Sequence, residues 1–259
     1  IRLCSIECEF NRPLAKSKYN QSFVQDIRDW NRISDRLHIW DYVINYAHCI
    51  QPFPNLDVLK PNIQFFLKNG VTGIYEEANY FSRGGELAEL RTYLISKLLW
   101  DPDHDVKTAR EEFGKAYYGP AWGPIRRYIK DIHKRAVSDR DFHMRIYVGQ
   151  NSPFQTDEVM ERYSQWFDEA EALVRDDETR LHRVRVARLP IIYTRIMNRS
   201  KALYVLTEDG LAPVGGEAGT DGLVGRFETI ARKEGVTRIA ENRGRGILDD
   251  WLGSVRRGV

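Results

Sequence analysis

Cysteine, methionine and histidine are scarce in this chain: three, three and six residues among 259. The cysteines, Cys4, Cys8 and Cys49, are odd in number and contain no Cys-x-x-Cys pair, which excludes a disulfide framework. Cys4, Cys8, His48 and Cys49 can be drawn as a zinc set. The short ligand spacing of zinc sites is missing, so they read as small buried residues at strand ends. No metal or cofactor is expected. Excess charge is lacking too. The 39 basic and 37 acidic residues leave a net charge of +2. The basic residues are dispersed, which argues against nucleic acid as a partner. No apolar run approaches the ~20 residues that a membrane helix needs, so no membrane insertion is expected. No secretory leader is legible. The chain opens at Ile1 in an apolar, strand-like run, which suggests that something precedes it.

What is there fits a folded chain with a sizeable core, at 42% hydrophobic and 12% aromatic residues. Three short segments read as buried strands: 1–6, 37–42 and 71–75. Each is followed by apolar residues at helical spacing. Phe23, Ile27 and Trp30 follow the first; Leu59, Ile63, Phe66 and Leu67 the second; Leu87, Leu90, Leu94 and Leu98 the third. Strand starts recur about every 35 residues, the size of a βα unit. Such alternation predicts a parallel sheet. Asn69-Gly70 should end the second helix and Asp101-Pro102-Asp103 the third.

Beyond about residue 100 the alternation stops. Segments 104–118, 121–137, 156–175 and 178–206 read as helices, the third capped by Thr156 and the fourth interrupted by Pro190. Residues 144–148 read as a strand or an extended linker, and 207–220 as a loop. The tail from Phe227 to Trp251 reads as a helix, a turn at Glu234-Gly235 and a short final helix. The fold class is therefore α/β plus all-α. Its boundary falls between βα units over 1–103 and a helical domain over 104–259.

In parallel α/β architectures ligands meet the C-terminal ends of the strands. Those ends carry Glu7-Cys8-Glu9, then Trp40-Asp41-Tyr42 with Asn45 just beyond, then Tyr75-Glu76-Glu77. Carboxylates can protonate a leaving oxygen, activate water or grip sugar hydroxyls. Aromatic rings offer flat faces to pyranoses. Alternation along a strand would send Trp40 and Tyr42 to one side and Asp41 to the other. Of the adjacent glutamates, Glu76 is preferred over Glu77 because it lies closer to the strand. The competing reading is that some acids pair with arginines such as Arg12 and Arg83 and that the rings simply pack. The loop Gln51-Pro52-Phe53-Pro54-Asn55 could wall a pocket, or Asn55 could cap a helix.

The run Ile39-Trp40-Asp41-Tyr42, Asn45-Tyr46 and Pro52-Phe53-Pro54-Asn55-Leu56 resembles the bacterial domain-of-unknown-function family numbered 4838. So do residues 61–66 and the run from Asn69-Gly70 to Glu76-Glu77, and the match is densest over 1–120. The resemblance implies a (β/α)8 barrel related to glycoside hydrolases, with the three strands here its last three. Members have been linked to cleavage of N-acetylhexosamine linkages. It further implies an exported, periplasmic or extracellular protein, and an acid catalyst on a middle strand that this sequence does not contain. Trp40, Asp41, Tyr42, Asn45, Tyr75 and Glu76 match family positions and are carried over as candidates for lining the substrate site.

The expectation is a carbohydrate-active protein, a glycoside hydrolase when the barrel is whole, with an oligosaccharide or glycan as partner. Asp41 and Glu76 are the catalytic candidates. Glu7, Glu9, Trp40, Tyr42, Asn45, Tyr75 and Glu77 are the substrate-binding ones, Glu7 and Glu9 by position alone. The main rival is a glycan-binding or structural module without catalysis. A metal-dependent sugar isomerase ranks third, because only His38 and His48 lie near the strand ends.

Overall fold

The structure, a computed structural model, describes residues 1–149, 152–199, 204–207, 210–213, 220–241 and 246–257. Three strands, β1 (Arg2–Cys4), β2 (Leu37–Tyr42) and β3 (Val71–Glu77), form a parallel sheet in the order β1-β2-β3. The alternation read from the sequence is thus present. The first strand is shorter than 1–6, and the third runs two residues further, to Glu77. Helix α1 (Gln21–Ile33) links the first two strands and α2 (Leu59–Lys68) the second and third; α3 (Ala88–Trp100) follows β3. Gly70 adopts a left-handed φ of 74° beyond α2. A Cβ there would lie 1.9 Å from Asn31 Oδ1, so backbone and packing both call for glycine. Asn55 caps no helix, since α2 starts only at Leu59.

The sheet has two unlike faces. Leu37 and Ile39 are fully buried, in one core with Val24 and Ile27 of α1 and Ile63 and Phe66 of α2. On the other face Arg2, Cys4, His38 and Tyr75 are exposed. Among the described residues no helix layer covers that second face, although parallel sheets normally bury both.

The rest is mostly helical: α4 (Val106–Tyr118), α5 (Trp122–Ala136), α6 (Asp157–Leu173), α7 (Glu178–Arg199), α8 (Thr220–Glu234) and α9 (Leu248–Arg257). Asp105 caps α4 by accepting from Lys107 N, and Thr156 caps α6 by accepting from Val159 N, as its sequence foretold. Two apolar seams hold the layers. Tyr128 of α5 meets Tyr163 and Phe167 of α6 at ring distances of 5.0 and 5.5 Å. Tyr193 of α7, Phe227 of α8 and Trp251 of α9 form a second cluster. Gly114 lets α4 approach α5 closely, because a Cβ there would lie 2.1 Å from the Trp122 ring.

The predicted helix over 178–206 ends at Arg199. A short strand, β4 (Tyr204–Thr207), pairs antiparallel with β5 (Gly210–Pro213). Tyr-Val-Leu-Thr is aromatic and β-branched, and an Asp-Gly dipeptide follows at 209–210; both favour a hairpin over a helix or a plain loop. The rest of the loop read over 207–220, at 208–209 and 214–219, lies outside the described residues. Residues 144–148 are neither a strand nor fully extended: Val148 N donates to Arg145 O at 3.1 Å, closing a turn at Ile146-Tyr147 within a strap. Met144 O accepts from Phe10 N at 2.9 Å, and Ile146 O from Tyr46 N at 2.7 Å. A second strap comes from the tail, where Ile239 O accepts from Cys49 N and Glu241 N donates to Tyr46 O. Both straps lie across the loop that leaves β2. No helix among the described residues is long and apolar enough to cross a membrane.

Candidate functional site

Strand parity decides what each face carries. Register pairs Trp40 with Tyr75, Asp41 with Glu76, and Tyr42 with Glu77. Trp40, Tyr42, Tyr75 and Glu77 therefore share the open face, while Asp41 and Glu76 share the face packed on the helices. The two faces have different chemistry.

On the open face the rings form a connected cluster. Trp40 meets Tyr75 edge-on at 5.4 Å and stacks against Tyr42 at 6.3 Å. Tyr42 meets Tyr46 edge-on at 5.7 Å, and Tyr46 meets Tyr147 of the strap at 6.4 Å. The Arg2 guanidinium lies 5.9 Å over the Trp40 ring. Trp40 Nε1 donates to Glu77 Oε2, which fixes that carboxylate within the cluster. The Tyr46 hydroxyl donates to Glu77 O at 2.9 Å. At the rim Tyr80 donates to Glu241 Oε1 at 3.0 Å. Burial pushes the Tyr42 phenol up to about 12, and the Tyr147 phenol is raised by burial and by Glu241 and Glu77. Tyr75, Tyr80 and Tyr147 remain 51%, 67% and 54% exposed, whereas Tyr42, Tyr46 and Glu77 are buried beneath them.

The other face holds the two residues that sequence reading selects for catalysis. Asp41 is 5% exposed and accepts from Ser5 Oγ. Glu76 is half-buried, and its Oε2 is shut off from solvent with no hydrogen-bond partner among the described residues. Burial raises both carboxyls above their ordinary range, and the charge of Asp41 raises Glu76 further. The structure does bring the pair together. It turns them away from the rings, where burial makes each carboxyl hold its proton more tightly than in water.

The other expected ligand-binding residues divide in the same way. Glu7 is exposed and pairs with Arg145 at 3.0 Å beside the strap. Glu9 is 1% exposed; it pairs with Arg12 and accepts from Ser17 Oγ, which ties down the loop after β1. This is the arginine-paired alternative. Asn45 is buried as well. Its Nδ2 donates to Val148 O at 2.7 Å and its Oδ1 accepts from Ala47 N, so it pins the strap rather than facing a ligand. Tyr147 and Glu241 were missed by the sequence reading. They reach the site from the straps, 100 and more residues away, and only the apolar run at 144–148 hinted at either.

Among the described residues no group of three His, Cys, Asp or Glu side chains is placed to hold a metal ion. His48 Nδ1 lies 2.7 Å from the Tyr193 hydroxyl, and Cys49 Sγ donates to Arg238 O.

Residues 1–131, the part that builds the sheet, helices α1–α4 and most of α5, match the family described as Domain of unknown function (DUF4838). The chain belongs to this family. No curated protein and no solved structure matches it. The family segment carries β1–β3, both sheet faces and Glu77, whereas Tyr147 and Glu241 come from beyond it.

Proposed function

We propose that this chain forms one wall of a glycan-binding cleft in a carbohydrate-active (β/α)8 barrel, a glycoside hydrolase acting on N-acetylhexosamine-containing glycans. One observation carries the reading: Trp40, Tyr42 and Tyr75 gather with the Glu77 carboxylate on one open face, at the C-terminal ends of parallel strands. Rings bind the C–H faces of pyranoses, and a carboxylate fixed by an indole N–H accepts from sugar hydroxyls. A parallel sheet with one face uncovered also fits a barrel whose remaining strands would close over that face. In this reading residues 1–103 are the last three βα units, and 104–259 are helices packed on them. Glu77 touches the sugar, while Asp41 and Glu76 hold the strand ends in place from behind.

A second reading has its own support. Glycosidic hydrolysis ordinarily takes two carboxyl groups flanking the bond. Turning Asp41 and Glu76 inward leaves Glu77 as the carboxylate among the strand-end rings, which suits a wall that holds glycan without cleaving it. Calorimetric titration with an N-acetylhexosamine trisaccharide tests the shared claim. Trp40→Ala and Tyr75→Ala should each weaken binding about tenfold, roughly the value of one lost ring contact. Absence of binding to the wild type, or equal binding by both variants, would remove glycan from this face. Turnover of an aryl N-acetylhexosaminide that is lost in Glu77→Gln assigns cleavage; binding with no turnover in the wild type assigns holding.

A further inference from the structure

A second concave region shares no residue with the aromatic face. It lies where α2, α4 and α5 begin, and encloses about 810 Å³. That size suits a ligand of a few rings. Its floor is apolar, made by Leu56, Pro61, Ile129 and the Trp122 ring. Its walls carry six cations, Lys60, Lys107, Arg110, Arg126, Arg127 and Lys130, against two carboxylates, Asp57 and Glu111. The whole chain carries only +2, so this is a local concentration of positive charge rather than a general basicity.

The two carboxylates do not neutralise the walls. Asp57 is taken by Arg110 Nη2 at 2.7 Å, and Glu111 by Arg126 at 3.1 Å and the Trp122 indole at 3.2 Å. Arg127 turns to Glu169, which does not line the cleft. Lys60 donates to the Asp103 and His104 carbonyls, and its charge also acts on the nearby Asp105 carboxylate. Lys107 and Lys130 are exposed and make no ion pair among the described residues. Arg110 Nε is buried with no acceptor. Lys60, Lys107 and Trp122 each lie in the first turn of their helix, and the N-terminus of α4 is already capped by the Asp105 carboxylate. Lys107 and Lys130 thus bring positive charge to the cleft with no ion-pair partner among the described residues, and a bound anion would supply one.

We infer that this cleft binds a small molecule bearing two or more sulfate or phosphate groups, with the apolar floor under its rings. The proposal does not rest on the glycan reading of the sheet face. The same chemistry could come from a sulfated sugar or a free polyphosphate, and calorimetry at low ionic strength separates them. The probes are inorganic pyrophosphate, a sulfated disaccharide and the same disaccharide without sulfate. The wild type should bind at least one anionic probe, more weakly as salt rises, and should not bind the unsulfated sugar. Lys107→Ala with Lys130→Ala should weaken that binding about tenfold, a loss of roughly 1.4 kcal/mol. Both lysines are exposed and unpaired, so the fold should survive. A control, Lys68→Ala with Lys134→Ala, removes two exposed cations elsewhere and should leave binding unchanged. Preference for the sulfated disaccharide assigns a glycan ester; preference for pyrophosphate assigns a phosphate. No binding of either anion, or equal loss in both double variants, overturns the site.

Discussion

Glu76 and Glu86 are two acids ten residues apart, on and just after β3, and the fold treats them in opposite ways. Glu86 is 2% exposed and fully engaged. Its Oε2 accepts from Arg91 Nη2 at 2.9 Å and from Phe53 N at 3.1 Å, and its Oε1 accepts from the Tyr128 hydroxyl at 2.7 Å. Arg91 in turn donates to Asn55 Oδ1 and to the Glu86 and Phe53 carbonyls. Among the described residues Glu76 makes no ion pair; its neighbour is another acid, and one of its oxygens is buried without a partner. Burial alone does not decide whether a carboxylate helps or hurts. The partners do: Glu86 ties the sheet half to α5 through Tyr128, and Glu76 makes no such link.

The largest expected effect follows from breaking that network. Glu86→Ala strands the Arg91 charge in the core and should cost about 3–5 kcal/mol in a denaturant titration. A double replacement, Glu86→Leu with Arg91→Leu, should cost less than either single change, because no charge is left unpaired. A loss below about 1 kcal/mol in Glu86→Ala would mean that this network and the Asp41–Glu76 pair are not the opposites described.

An intermediate effect is set by pH, with two opposing signs. Burial holds Asp41 and Glu76 above their ordinary values, so the folded chain keeps protons that the unfolded chain releases above about pH 4. Their contribution is present at low pH and is lost as pH rises through the raised values. His133 runs the other way. Its Nδ1 donates to Ile129 O and its Nε2 accepts from Leu56 N, which fixes the neutral ring, and burial lowers its basicity. The unfolded imidazole takes a proton near pH 6.5, so stability present above that value is lost as pH falls below it. His48 and His143 are lowered as well and add to the same slope. Glu76→Gln should stabilise the protein at pH 7 by about 1 kcal/mol and flatten the loss on raising pH above about 4. His133→Gln should flatten part of the loss below pH 6.5. Urea midpoints from pH 4 to 8 read both; an unchanged profile in Glu76→Gln would show that the pair is not protonated in the fold.

The sheet and its connecting helices were legible because period-2 and period-3.6 apolar patterns alternate cleanly as far as Asp101-Pro102. Gly70 and Thr156 mark a helix end and a helix start that local chemistry alone requires. The facing of Trp40 and Tyr42 away from Asp41 was legible for the same reason. Glu76 lies closer than Glu77 to the strand predicted over 71–75, but β3 continues to Glu77, so parity carries Glu77 onto the face of Tyr75. Glu9 and Asn45 read as ligand residues because their partners, Arg12 and the Val148 carbonyl, are set by loop closure. Tyr147 and Glu241 reach the site only through straps whose hydrogen bonds are tertiary. Nothing local in the sequence encodes them.

The smallest expected effect on stability belongs to the open face, and its smallness is informative. Tyr75 is half-exposed, and its one ring contact among the described residues is the edge-on approach to Trp40. An exposed contact of that kind is worth about 0.5 kcal/mol, so Tyr75→Ala should move a denaturation midpoint very little. The rings on the helix side are packed on all sides, and Phe66→Ala should cost about 3–5 kcal/mol by the loss of buried area and the cavity left behind. If Tyr75→Ala is nearly silent in stability yet weakens glycan binding, its ring is kept at the surface for what it touches outside the protein. If instead it destabilises as Phe66→Ala does, the open face is core in the native assembly. The aromatic cluster would then be packing that happens to lie at a sheet surface.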